Sequence, residues 1–245
     1  MGFVAGTLVH TDKGLVPIEQ LKVGDMVLSK HGKKHVNQMV KKSLVLSGDI
    51  YEIVYGSTII LNDCEECIFS HAFVTEEQSI WVVDTGWLVA KELKAGDIVV
   101  LQNGCTNMVF GVVRLHKTCI DGIAYSYGWG ADDKFVSKLI DFRNGFACIY
   151  FGNTTQSITD YEYVFWGEGV AQEGSYTVID RDGWGLGYGK EQQSHFKFFG
   201  CSYHDLFNPE ESYGDAFFWA VYNLEVADCN NYFVGKSGIL VAAQK

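Results

Sequence analysis

Proline, positive charge and long apolar runs are all scarce in this sequence of 245 residues. Its two prolines, Pro17 and Pro209, stand beside 27 glycines and an aromatic fraction of 14%, a composition that favours strands joined by glycine turns. No stretch has the length of a membrane-spanning helix, and residues 1–7 lack the charged region and apolar run of a secretory signal. We therefore expect a mainly β chain with no membrane partner and a cytoplasmic location.

Basic residues are outnumbered, because 19 lysines and arginines stand against 30 aspartates and glutamates, for a net charge of −11. Non-specific binding to DNA or RNA depends on a basic surface that displaces counterions. A nucleic-acid partner is therefore not expected. One local exception is the basic segment 30–35, followed by Lys41 and Lys42, which is typical of a solvated hairpin.

Seven cysteines, an odd number, are spread over the chain. This distribution is unlike a disulfide framework and favours reduced thiols. Cys64 and Cys67 have the spacing of half a zinc site, and His71 follows four residues later. A structural zinc site normally needs four ligands, and no second pair of this kind follows in the sequence. We predict neither a bound metal nor a cofactor.

Two segments of the first half repeat each other. Residues 18–28 (IEQLKVGDMVL) recur as residues 90–100 (AKELKAGDIVV), with leucine, lysine, glycine and aspartate in the same order. Each copy predicts one helical turn with an inward leucine, then a glycine whose left-handed conformation ends the turn. The aspartate opens a short apolar strand. We interpret the pair as a duplicated β half-unit, with independent origin of a common turn as the alternative.

Short strands are predicted around both copies and at the end of the chain, and no long amphipathic helix occurs in either terminal part. Residues 50–55 and 58–61 flank Gly56 and Ser57, which predicts a hairpin turn at that dipeptide. The other predicted strands are 4–11, 80–83, 87–89, 221–226, 232–234 and 239–241, with turns at 12–14, 84–86 and 235–238.

The order of these elements resembles the conserved blocks of the Hint family, the self-processing domains of inteins and hedgehog proteins. Residues 2–9 (GFVAGTLV) are similar to the first block, and residues 75–78 (TEEQ) stand where the family has T-x-x-H. Residues 221–241 resemble the last block. The resemblance implies a mainly β, pseudo-two-fold fold of the intein type, with residues 2–101 and 216–245 as a discontinuous core.

Self-processing in the family depends on residues that this chain replaces. A cysteine at the start of the domain attacks the preceding carbonyl to form a thioester, and the T-x-x-H residues polarise and protonate the scissile amide. A terminal His-Asn pair then releases the other flank. By the resemblance, the partner in that reaction is the domain's own flanking polypeptide.

The family positions are occupied here by groups that cannot perform most of these steps. Gly2 has no nucleophile, Gln78 cannot shuttle a proton near neutral pH, and Ala242 and Ala243 cannot cyclise or assist. Thr75 alone keeps the family side chain. Asn223 and Asn230 stand where the last block often has aspartate and histidine. We expect the splicing chemistry to be absent, by natural degeneration or by engineering.

Cys229 is the one thiol near the expected active centre. A rerouted reaction that uses Cys229 or Thr75 as nucleophile is one alternative function. A half-buried cysteine at the end of a strand is the simpler interpretation.

Residues 102–215 form an insertion relative to a minimal core of this family. The segment around Tyr125 to Asp133 is a weak candidate for an endonuclease motif, because only one copy occurs and its helix propensity is poor. Alternation of aromatic residues at 161–165 and 196–198 predicts strands with one buried face. The second function hypothesis is a binding module in which this aromatic insertion recognises a protein or a small ligand; an exposed aromatic patch would favour it.

Overall fold

Strands dominate the computed structural model of the chain, which describes residues 1–61, 64–127, 136–156, 161–169, 176–177 and 215–244. The described chain divides into two compact units: residues 1–114 with 218–245, and residues 115–217. Among the described residues, no helix is long and apolar enough to span a bilayer.

The first unit contains one sheet of 13 strands and two short 3-10 helices, Ile18–Gln20 and Ala90–Glu92. Its strands are β1 Phe3–Val4, β2 Leu8–Thr11, β3 Gly14–Pro17, β4 Met26–His31, β5 Lys34–Leu61, β6 Cys64–Thr75, β7 Ser79–Val82, β8 Gly86–Val89, β9 Ile98–Val100, β10 Thr106–Arg114, β17 Phe218–Val226, β18 Asn231–Val234 and β19 Ile239–Ala242. They follow the order β10-β9-β7-β19-β18-β2-β4-β5-β17-β1-β6, with further pairings of β10 and β6 to β5.

The second unit holds a separate antiparallel sheet of six strands in sequence order. These strands are β11 His116–Lys117, β12 Ile123–Tyr127, β13 Val136–Asp141, β14 Cys148–Gln156, β15 Tyr161–Gly169 and β16 Tyr176–Thr177. The strand predicted at 161–165 is confirmed. Tyr125 lies in a strand, whereas residues 128–135 and 196–198 lie outside the described residues.

The repeat predicted from the sequence is a structural repeat, bond for bond. The amide of Ile18 donates to the carbonyl of Thr7 at 2.8 Å, and the amide of Ala90 donates to the carbonyl of Gln78 at 2.9 Å. Leu21 and Leu93, which follow the two 3-10 helices, are both buried. The two copies therefore pack equivalent side chains into the same core, which confirms the pseudo-two-fold, mainly β fold.

The glycine and aspartate of each copy tie the turn to the next strand. The Gly24 amide donates to Val40 O at 3.0 Å, and the Gly96 amide donates to Val109 O at 2.8 Å. The carboxylate of Asp25 accepts a hydrogen bond from the Lys22 amide at 2.9 Å, and Asp97 accepts one from the Lys94 amide at 2.8 Å. Both glycines have positive φ, 97° and 95°, so the predicted turn chemistry is confirmed in each copy.

Alanine at either repeat glycine should cost the same free energy. Gly24→Ala and Gly96→Ala place a Cβ where no atom lies within 4 Å, so only the positive φ is penalised, by about 1–2 kcal/mol. Urea denaturation of the two variants, with exposed Lys22→Ala as control, measures this loss. A difference between the two glycine variants above about 1 kcal/mol would contradict structural equivalence.

The hairpin predicted at Gly56 and Ser57 is wrong. Strand β5 runs through both residues without interruption, and Gly56 pairs with Phe69 on β6. A Cβ at Gly56 would collide with the backbone carbonyl of Ile68. The glycine therefore allows a close approach of two strands, which the sequence presents in the same way as a turn.

The strand predicted from residue 4 to residue 11 is also interrupted. The amide and the hydroxyl of Thr7 donate to the carbonyl of Val4 at 3.3 and 2.8 Å, which forms a turn between β1 and β2. The hairpin predicted for the basic segment 30–35 is confirmed, because His31 pairs with Lys34 around Gly32. The turns predicted at 12–14, 84–86 and 235–238 are present as well.

Candidate functional site

The family positions Gly2 and Thr75 lie side by side in the first unit. Strand β1 is held between β17 and β6, with Phe3 opposite Tyr222 on one side and Val74 on the other. This pairing brings the Gly2 carbonyl to the amide of Thr75, which donates to it at 3.0 Å. Gly2 is thus fixed next to Thr75, the first of the four residues that stand where the family has T-x-x-H.

Thr75 is buried at the end of β6. Its hydroxyl, Oγ1, has no hydrogen-bond partner among the residues that the structure describes. A buried hydroxyl without a partner costs free energy. Nothing in the described core explains why residue 75 carries one. The backbone of Thr75 continues the site, because its carbonyl accepts a hydrogen bond from the Gln78 amide at 3.0 Å.

Gln78 is fully buried, and its carboxamide joins three segments of the chain. Its Nε2 donates to the carbonyl of Ala242 at 2.9 Å and to that of Ser79 at 3.1 Å. Its Oε1 accepts a hydrogen bond from Nδ2 of Asn223 at 3.4 Å. The amide therefore holds the last strand, β19, against β7 and β17. It cannot accept or release a proton near neutral pH.

Asn223 and Tyr232 extend this network on the core side. The Tyr232 hydroxyl donates to Oδ1 of Asn223 at 2.9 Å, and the Leu224 amide donates to the same oxygen at 2.7 Å. Burial raises the pKa of Tyr232, so its hydroxyl remains a neutral donor. Tyr232 was predicted only as a strand residue, because an aromatic residue in an apolar strand shows no sign of a polar role.

The last two family positions, Ala242 and Ala243, lie at the end of β19. The Ala242 carbonyl accepts from Gln78, and the Ala243 amide donates to the carbonyl of Asn230 at 2.9 Å. The peptide bond between the two alanines is thus hydrogen-bonded at both ends. Gln244 continues the pattern, since its amide donates to Leu224 O at 2.9 Å.

A cleft of about 930 Å³ opens beside these positions. Its lining includes both ends of the described unit, Met1 and Gln244, as well as Cys229 and two tryptophans. The tryptophan pair, Trp81 and Trp87, has ring centroids 5.2 Å apart in an edge-to-face arrangement. The other lining residues are Lys30, Gly32, Ser79, Asn230, Asn231, Leu240, Ala242 and Ala243.

Cys229 lies in this cleft beside a histidine that sequence analysis placed only in the basic cluster. Its Sγ is 3.6 Å from Nδ1 of His31. Burial, followed by the neighbouring charge of Asp228, raises the pKa of the Cys229 thiol. The thiol is therefore mainly protonated near neutral pH, and its reactivity depends on a nearby base.

The half zinc site considered from the sequence is not tested by the structure. No group of three or more histidine, cysteine, aspartate or glutamate side chains has metal-binding geometry within the described residues. The side chains of Cys64 and Cys67 lie outside them. His71 is engaged elsewhere, with its Nδ1 at 2.7 Å from Oε1 of buried Glu52.

No model of a known protein family matches the sequence, and no curated protein matches it. Among solved structures, the intein-like domain from Clostridium thermocellum is 17% identical, with a TM-score of 0.46 over 98% of this chain and 97% of that one. The MchDnaB-1 intein is 11% identical, with a TM-score of 0.44 over 98% of each chain. The gp41-1 intein is 20% identical, with a TM-score of 0.35 over 51% of this chain and 94% of that one. All three are named as inteins or intein-like domains.

Proposed function

We propose that this chain is a Hint-type domain of the self-processing lineage that has lost self-cleavage and persists as a scaffold. The observation that carries the proposal is the buried carboxamide of Gln78, bound to the Ala242 carbonyl where the family has a histidine. An amide in this position keeps the hydrogen bond but not the proton transfer. The fold is therefore stabilised by the group that replaces its acid.

The remaining positions support the same proposal. Gly2 has no side chain and therefore no nucleophile that could attack the carbonyl of the preceding residue. Ala243 has no amide that cyclises, although its backbone is still held by Asn230. Thr75 retains a buried hydroxyl with no partner among the described residues, which suits a group whose former partner was the scissile amide.

The proposal includes the flanking polypeptide as the ancestral reaction partner and a cytoplasmic location, in which the cysteines remain reduced. One feature of the geometry supports the flanks as partners, because residues 2 and 242 are joined through the site. Gly2 and Ala242 are linked through Thr75 and Gln78 by three hydrogen bonds in series. The family reaction needs such proximity of the two ends. In this chain the ends are close, but the reacting side chains of the family are absent.

Intact mass of the chain with short peptides fused at both ends tests the proposal. We expect one species at the full mass before and after prolonged incubation with a thiol such as dithiothreitol. Fragments that begin near residue 2 or end near residue 243 would overturn it. A fusion in which Lys13, in an exposed turn, is replaced by alanine serves as control for non-specific proteolysis.

A further inference from the structure

Cys229 and His31 together supply a nucleophile and a base, both of which the family positions lack in this chain. The sulfur and the imidazole nitrogen are 3.6 Å apart, and the cysteine lines an open cleft. A protonated thiol with an imidazole in contact is the arrangement in which a general base activates a nucleophile. Among the described residues, neither Cys105 nor Cys119, both exposed, makes a contact with an imidazole.

The cysteine and the histidine are held together by the side chain of Asn231. Its Oδ1 accepts from the Lys30 amide at 2.8 Å, and its Nδ2 donates to the carbonyl of Lys30 at 3.0 Å. The same Nδ2 donates to the carbonyl of Cys229 at 2.8 Å. One carboxamide therefore clamps the backbone on which His31 stands to the backbone of the thiol.

The backbone on both sides of Cys229 is strained. Asp228 and Asn230 have φ values of 53° and 50°, in the left-handed region that costs free energy for residues with a side chain. Cys229 lies between these two residues, in the turn that joins β17 to β18, and it lines the cleft. The strain is supported by Asn231 and by the hydrogen bond from Ala243 to Asn230.

We propose that Cys229 is an acyl-acceptor site, with His31 as its general base, for activated acyl esters or thioesters that enter the cleft. The Cys229 sulfur attacks the carbonyl carbon of the donor, so a C–S bond forms and the bond to the leaving alcohol or thiol breaks. The thiol proton passes to Nδ1 of His31 and then to the leaving group. This inference does not rest on the proposed loss of self-cleavage, since the donor is a separate molecule.

Acetylation by p-nitrophenyl acetate tests the assignment on the full chain. Release of p-nitrophenolate gives the rate, and peptide mass spectrometry locates the acetyl group. We expect Cys229 to be acetylated at least about tenfold faster than Cys105 at neutral pH, because a positioned base accelerates such a step. The Cys105→Ser variant is the matched control and should leave the rate at Cys229 unchanged.

The dependence on His31 distinguishes a base-activated pair from an accessible thiol. In His31→Gln the rate at Cys229 should fall about tenfold or more, while the urea midpoint stays that of the parent. Equal rates in parent and variant, or faster acetylation of Cys105, would overturn the proposal. Cleavage of the chain itself would instead contradict the proposed function.

Discussion

Gln78→Leu should be among the most destabilising substitutions in the first unit, with a loss of about 2–4 kcal/mol. Leucine has nearly the volume of glutamine, so the loss comes from polar groups and not from a cavity. The Ala242 carbonyl would lose a donor at 2.9 Å, and Nδ2 of Asn223 would lose its acceptor. Asn223 is itself buried, and the Ala242 carbonyl contacts the buried Gln78. A hydrogen bond that is lost in such surroundings costs the most free energy.

Urea denaturation measures this loss, and Gln20→Leu provides the control. Gln20 lies in the 3-10 helix of the first repeat and is exposed, so its substitution should change stability by no more than about 0.5 kcal/mol. Protection of the Ala243 amide in hydrogen exchange should fall in Gln78→Leu, because β19 loses its attachment. Equal stability of the two leucine variants would show that the carboxamide network contributes nothing.

On the proposed function, introducing two residues of the Hint family should produce cleavage at the N-terminal flank. In a chain extended by a short peptide before residue 2, the pair Gly2→Cys with Gln78→His supplies a thiol beside the scissile amide and an imidazole three residues after Thr75. We expect thiol-induced release of the extension, measured by intact mass. Gly2→Cys alone should be slower by about 10²–10⁴, the contribution of a positioned acid.

The structure sets one condition on this result. A Cβ at Gly2, which has a φ of 159°, would lie 3.0 Å from Tyr222 O and from Cγ2 of Val221, so both the Tyr222 carbonyl and the valine side chain must move by a few tenths of an ångström. Val221→Ala in the double variant should therefore leave cleavage intact or raise it. A folded double variant that releases nothing would show that Gly2, Thr75 and Gln78 do not form the reaction site of the lineage.

The repeated half-unit was predictable because its signals are local. A leucine, a glycine with positive φ and an aspartate within a few residues determine both turns, and no distant contact is needed to recognise them. Gly56 shows the opposite case. Glycine is required at this position because a Cβ would collide with the carbonyl of Ile68 on the neighbouring strand. In the sequence such a contact between strands appears only as a lone glycine, which is also the pattern of a turn.

The candidate site was predictable as positions but not as a network. The resemblance indicates Gln78 and Ala242, whereas their hydrogen bond to each other and to Asn223 depends on how three distant strands meet. His31 entered the sequence argument only as part of a basic cluster. Its contact with Cys229 arises because the side chain of Asn231 hydrogen-bonds to Lys30 on β4 and to Cys229 just before β18. No spacing in the sequence predicts these hydrogen bonds.

The position of β1 has a consequence for how the chain folds during synthesis. Phe3 and Val4 pair with Tyr222 and Val221 on β17, so β1 cannot complete its pairing until β17, far later in the sequence, has been made. Contacts of such long sequence separation form late, after the loop between them has been closed. The repeated turns, by contrast, contain all their partners within the first half. We therefore expect the nascent chain to hold β1 unpaired on one side, exposed to chaperones, until β17 has been made and pairs with it.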